Sequence, residues 1–173
     1  MILRRFHKAV LVLLSLAATG LPAFSQKKNT EDKVLLISAK SAQLIEENGQ
    51  NYRKVVGPAK FLHNDTYLLC DTALWNVTTN IIDAIGHVRI IQDRTKLSSA
   101  TLQYVVDEDM AKFRGDLVQL EDKEKNTLRT RYLDYNTKDS VAIFQDGAAM
   151  RDKDGQIIES LYEIGRASCR ERV

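Results

Sequence analysis

The chain has 173 residues, with 25 Lys+Arg against 23 Asp+Glu, 44% hydrophobic residues, two prolines and two cysteines. That length supports one domain with a full core and gives no sign of a second. The near-balance of charge, with no basic stripe interleaved with aromatics, gives no argument for a nucleic-acid partner, and none is expected.

The first 25 residues read as a signal peptide. Arg4, Arg5 and Lys8 precede the apolar run Ala9 to Leu16, Gly20 and Pro22 break it, and Ala23-Phe24-Ser25 offers small residues before a cut at Gln26. The run is shorter than the ~20 residues that a membrane anchor needs, so an exported protein is expected. Residues 26–33 form a polar leader. Val34 to Leu44 follows, and its Ile37, Ala39, Ala42 and Leu44 have the spacing of the second half of a repeat unit seen complete further on. Glu46-Glu47-Asn48-Gly49 predicts a tight hairpin turn, because Asn-Gly takes the left-handed conformations such a turn requires.

From there the chain restates one pattern. Gly57, Gly86, Gly115 and Gly147 each follow a short alternating strand; Leu68, Leu97, Leu128 and Ile158 come 11, 11, 13 and 11 residues after them. A small slot holds Cys70, Ser99, Thr130 or Ser160, and an aromatic closes three units at Trp75, Tyr104 and Tyr135. Spacings of this kind mark a repeat protein. Each half-unit alternates with period two, as a half-buried strand does, and each glycine between strand halves predicts a bulge or bend. Polar corners at His63 to Thr66, Asp93 to Lys96, Glu121 to Asn126 and Asp152 to Gly155 predict turns. With no sustained period of 3.6, the fold is expected to be nearly all β.

No catalytic constellation stands out. Asp65, Asp93, Asp122 and Asp154 recur one per corner, which suits turn formation better than acid–base work across a cleft. His63 and His87 lack partners at metal-ligand spacing, and neither a C-x-x-C nor a G-x-S-x-G motif occurs, so no metal, cofactor or enzyme activity is expected. Cys70 reads as a small buried filler. Asn76-Val77-Thr78 has the form of a glycosylation acceptor but reads as a turn after Trp75. The aromatic series reads as packing. The alternating apolar positions Ile82, Val88, Ile90, Leu97, Leu102, Phe113, Val118, Leu120, Leu128 and Leu133 would line the inside of a folded-over sheet. A filled core and an apolar groove both satisfy that pattern.

The register breaks after Ser160, where Glu163 and Gly165 replace the expected apolar and aromatic residues, so 163–173 reads as a non-native tail and 34–162 as the folded domain. Residues 1–25 hold three basic groups, and 163–173 hold three basic and two acidic. Setting them aside leaves 19 Lys+Arg and 21 Asp+Glu.

The repeats G-x-V-x-I (Gly86, Val88, Ile90), L-x-S-x-x-L-x-Y (Leu97 to Tyr104) and L-x-T-x-x-L-x-Y-N (Leu128 to Asn136), behind a signal peptide, resemble the OstA-like proteins. This family includes LptA and the N-terminal domain of LptD, and the Cys70-Asp71-Thr72-Ala73-Leu74-Trp75-Asn76 stretch is similar to its Bacteroidetes-type version. The resemblance implies a twisted antiparallel sheet folded over as an open-ended, jellyroll-like groove. It also implies a periplasmic carrier or bridge for lipopolysaccharide on its way to the outer membrane, with the ten apolar positions as groove lining and other Lpt components as partners. Unpaired edges at the two ends of such a sheet predict head-to-tail association of copies. Two other architectures stand beside it: a β-solenoid that binds or cleaves glycans, which repeats of this length also build, and a closed lipocalin-like barrel for a small lipid, which would not call for near-identical units.

Overall fold

A computed structural model describes residues 33–145, 147–160 and 165–168. The export segment and all but the last residue of the leader lie outside the described residues. The described strands are β1 (Leu35–Ser38), β2 (Ser41–Glu47), β3 (Gln50–His63), β4 (Thr66–Asn76), β5 (Ile81–Gln92), β6 (Thr95–Val105), β7 (Met110–Glu121), β8 (Thr127–Asn136), β9 (Val141–Gln145), β10 (Ala148–Arg151), β11 (Ile157–Ser160) and β12 (Gly165–Ser168). They make one sheet in the order β1-β3-β4-β5-β6-β7-β8-β10-β11, with β2 also on β3, and β9 between β8 and β12.

The pairings are antiparallel from β1 through β12, so a parallel solenoid does not fit. A closed barrel does not fit either, because β1 and β11 end the described strand order. The hairpin turns fall where the sequence puts them. Glu47 pairs with Gln50 across Asn48 and Gly49, both at positive φ, as a two-residue turn matching strand twist requires. His63 pairs with Thr66 and Gln92 with Thr95 across equally short turns, with Asn64 and Asp93 in the left-handed region.

Each long strand is interrupted once, near its middle. Register shifts occur between Val56 and Ala59, Ile85 and Val88, and Arg114 and Val118, at Gly57, Gly86 and Gly115. Opposite the first of these, two residues of β3 face one of β4, which is a bulge and bends the strand. The bulges stand side by side in neighbouring strands, so together they form a crease across the sheet. Glycine is required there. Gly86 has φ of +79°, and a Cβ on it would run into the Asp71 carboxylate, while one on Gly57 would lie 2.5 Å from the Asp71 carbonyl oxygen and 2.8 Å from that of Cys70.

The crease folds the sheet onto itself. Were β5 straight, Ile82 and Gln92 would lie roughly 33 Å apart at the usual rise per residue. Yet Tyr104, the register partner of Ile82, hydrogen-bonds His63 at the far end of β3, and Tyr135 hydrogen-bonds Gln92 itself. The two halves of each strand therefore face one another, with the apolar rows between them.

At the other end, Gly165–Ser168, inside the stretch read as a tail, runs antiparallel to β9 from Val141 to Phe144. An open strand edge needs only the N–H and C=O groups of an extended neighbour, which side-chain alternation does not report.

Candidate functional site

All ten positions that alternation places inward are between 0 and 4% exposed. Register links them into ladders that cross the whole sheet. One runs Leu36, Phe61, Leu68, Ile90, Leu97, Leu120, Leu128, Met150 and Ile158, each paired with the next. A second, on the other side of the crease, runs Val55, Ala73, Ala84, Leu102, Phe113, Leu133 and Phe144. Ile82 belongs to a third, between Trp75 and Tyr104, and Val88 and Val118 flank the crease. The inner residues form a single buried cluster. Directly paired apolar side chains support one another across strands, and each fully buried Leu, Ile or Phe is worth about 1.5–3 kcal/mol.

The first ladder surfaces at both ends. Leu36 is 39% exposed beside the buried Phe61, and beyond the buried Leu128 the row emerges through Met150, 36% exposed, to Ile158, 69% exposed. At the β1–β2 end a cavity of about 470 Å³ is lined by Leu36, Leu44, Val55, Phe61 and Trp75, with Arg53 stacked 4.8 Å from the centre of the Trp75 ring. At the other end a cavity of about 330 Å³ is lined by Leu120, Leu128, Met150 and Ile158, rimmed by Asp122 and Asp152. Each is a mouth through which the inner rows reach solvent.

The long side of the fold, opposite the crease, is closed by polar groups. The Nδ1 of His63 lies 2.6 Å from the Tyr104 hydroxyl, which is 3.3 Å from Thr137 Oγ1. Thr137 donates its own hydroxyl to the Asp109 carbonyl at 3.2 Å. Gln92 Nε2 donates to the Thr137 carbonyl at 2.6 Å and to Asp65 at 3.0 Å, while its Oε1 accepts from Tyr135 at 3.0 Å. Burial pushes the Tyr104 phenol up to about 12, the Thr137 hydrogen bond offsetting part of the rise and the Asp109 and Asp65 carboxylates adding to it. Tyr104 therefore stays protonated. A cleft of about 650 Å³ lies along this seam. Sequence reading missed this cluster, although a signal was present: His63 and Gln92 continue the inward phase of Phe61 and Ile90.

The other singled-out residues serve the backbone. Asp122 Oδ1 accepts from the backbone N–H groups of Glu124 and Asn126, Asp65 Oδ1 accepts from the Thr66 hydroxyl and the Gln92 side-chain amide, and Asp154 gives its N–H to Asp152 Oδ1. The corner carboxylates are thus spread over separate turns, and no metal-holding cluster occurs among the described residues. Asn76 is buried, with Oδ1 accepting from Thr78 and Thr79 N–H and Nδ2 donating to Gln50, so the acceptor-like tripeptide is a turn whose amide is engaged. His87 pairs with Asp71 at 2.7 Å in the open, on the outside of the crease. Cys70 is buried beneath the crease, and burial, with the neighbouring Asp71 charge, pushes its thiol up to about 11. It is an unreactive filler.

A family model described as OstA-like protein matches residues 31–168. No curated protein matches the chain. Among solved structures it is similar to LptH of Pseudomonas aeruginosa, described as the LptA-homologous periplasmic component of that organism's lipopolysaccharide transport device. The two are 18% identical with a TM-score of 0.57, covering 78% of this chain and 94% of that one. The likeness shows the same folded-over sheet, and the family match covers most of the chain, which therefore belongs to the OstA-like proteins.

Proposed function

We propose that this chain is a periplasmic carrier or bridge segment for lipopolysaccharide, non-enzymatic, taking acyl chains between its inner rows and passing them along the sheet toward the outer membrane. The observation that carries this is the continuous ladder from Leu36 to Ile158, buried in the middle and open at both ends. A soluble vehicle for a lipid with several acyl chains needs an uninterrupted apolar path, since each methylene taken out of water is worth about 0.8 kcal/mol. The groove lining is Ile82, Val88, Ile90, Leu97, Leu102, Phe113, Val118, Leu120, Leu128 and Leu133. Membership of the OstA-like family and the fold shared with LptH support the same reading.

The mouths suit stacking. The β1–β2 end and the β10–β11 end are different surfaces, so copies, or other Lpt components of the same fold, would meet head to tail and join their apolar rows. A photo-crosslinking residue at Ile90 or Phe113 is expected to capture lipopolysaccharide in cells, and one at the outward Arg89 is not. Capture at Arg89 alone would overturn the groove assignment.

A further inference from the structure

We propose that His63, Gln92, Tyr104, Tyr135 and Thr137 form a latch that holds the two halves of the folded sheet together along the seam and parts to admit acyl chains sideways. The inference rests on the reading that the interior takes such chains.

Three observations lead to it. First, the interior is filled by the protein's own side chains, with the ten inner residues at most 4% exposed, so a ligand can go in only if the halves separate. Second, the mouths are unsuited to admission. A lipid whose chains share one polar head would have to draw that head through a buried apolar row, at the full cost of stripping its water. Parting the seam leaves the head outside.

Third, the chemistry of the closure is suited to opening. The inward phase that is apolar in the strand middles, apart from Thr130 at the crease, becomes polar at the seam, at His63, Gln92 and Thr137. These contacts link residues 41 to 45 positions apart that the sheet register does not pair. An apolar seam would resist parting in proportion to the area exposed. A hydrogen-bonded one exchanges its bonds for water at small net cost, and water is at hand in the adjoining cleft, lined by Asn64, Asp65, Asp109 and Lys138 as well as by Gln92 and Thr137.

The test uses the full chain with Cys70→Ser and Cys169→Ser, and Asn64→Cys with Lys138→Cys, joined across the cleft by a cleavable bis-maleimide. The probe is lipid A with brominated acyl chains, read by quenching of the single tryptophan, Trp75. Locking is expected to slow quenching at least tenfold, and cleaving the linker to restore it. Separately, Thr137→Val or Tyr104→Phe is expected to speed uptake threefold or more. Uptake by the locked protein at the unlocked rate would overturn the latch while leaving the acyl-binding reading intact. Absence of quenching in locked and unlocked protein alike would overturn both.

Discussion

The centre and the two ends of one apolar ladder carry the same residue types in different surroundings. Ile90 and Leu97 are fully buried, with paired neighbours on both sides and the opposite half-sheet above them. Leu36 and Ile158 continue the same row and stand in solvent. Identical chemistry therefore serves stability in the middle and leaves the ends free for contact with something else. Exposed apolar residues scattered singly need no explanation, but a buried row that emerges at both mouths does.

The largest expected contrast is in stability. Phe113→Ala should cost about 3–5 kcal/mol and Leu97→Ala about 2–5, because each leaves a cavity that the paired strands cannot close. Ile158→Ala or Leu44→Ala should stay within about 0.5 kcal/mol. Urea unfolding of the four variants measures this, and comparable losses at centre and ends would erase the distinction.

Alkali should reach the centre selectively. Burial raises the Cys70 thiol from 9.0 to about 11 and the Tyr104 phenol from 10.0 to about 12. The sign follows from the protonated form being the one held in the fold: the contribution of each group is complete below its unfolded pKa and is lost as pH rises through the folded one. Stability should thus fall between about pH 9 and 12, by on the order of 2 kcal/mol per group. Cys70→Ser, the choice of the sister unit at Ser99, should abolish the decline between about pH 9 and 10 and lessen it up to 11, and Tyr104→Phe should remove the Tyr104 share between about pH 10 and 12. A melting temperature indifferent to pH over that span would contradict the burial assigned to both.

At the ends the readout is association rather than folding. Leu36→Pro should weaken concentration-dependent self-association at least tenfold in sedimentation velocity while changing stability little, because it disturbs only the terminal strand. A wild-type chain that is monomeric at every concentration would leave a shuttling carrier in place of a bridge. The smallest effect is expected on the outer face, where Arg114 and Asp134 are 2.7 Å apart but partly exposed. Asp134→Asn should cost less than about 1 kcal/mol, and less still in high salt.

The strands, their hairpin turns and the glycine crease were legible in the sequence because each depends on neighbours along the chain: alternation from Val88 to Ile90, Asn48-Gly49 at a turn, Gly86 where a Cβ has no room. The inward face of all ten apolar positions followed from the same alternation. The seam was not legible in that way. Period two gives the face on which Gln92 lies but not that Thr137, 45 residues on, will meet it when the sheet folds over. Nor does alternation report a segment such as Gly165–Ser168 that adds to an edge through its backbone.

Trp75 offers the most direct test of the central claim, that the interior receives acyl chains. It lies at the β1–β2 mouth, 9% exposed, and is the chain's single tryptophan. Titrating the purified protein with lipid A brominated on its acyl chains should quench its fluorescence saturably, with unbrominated lipid A competing and the detached head-group oligosaccharide without effect. Quenching that fails to saturate, or equal competition by the oligosaccharide, would contradict the account.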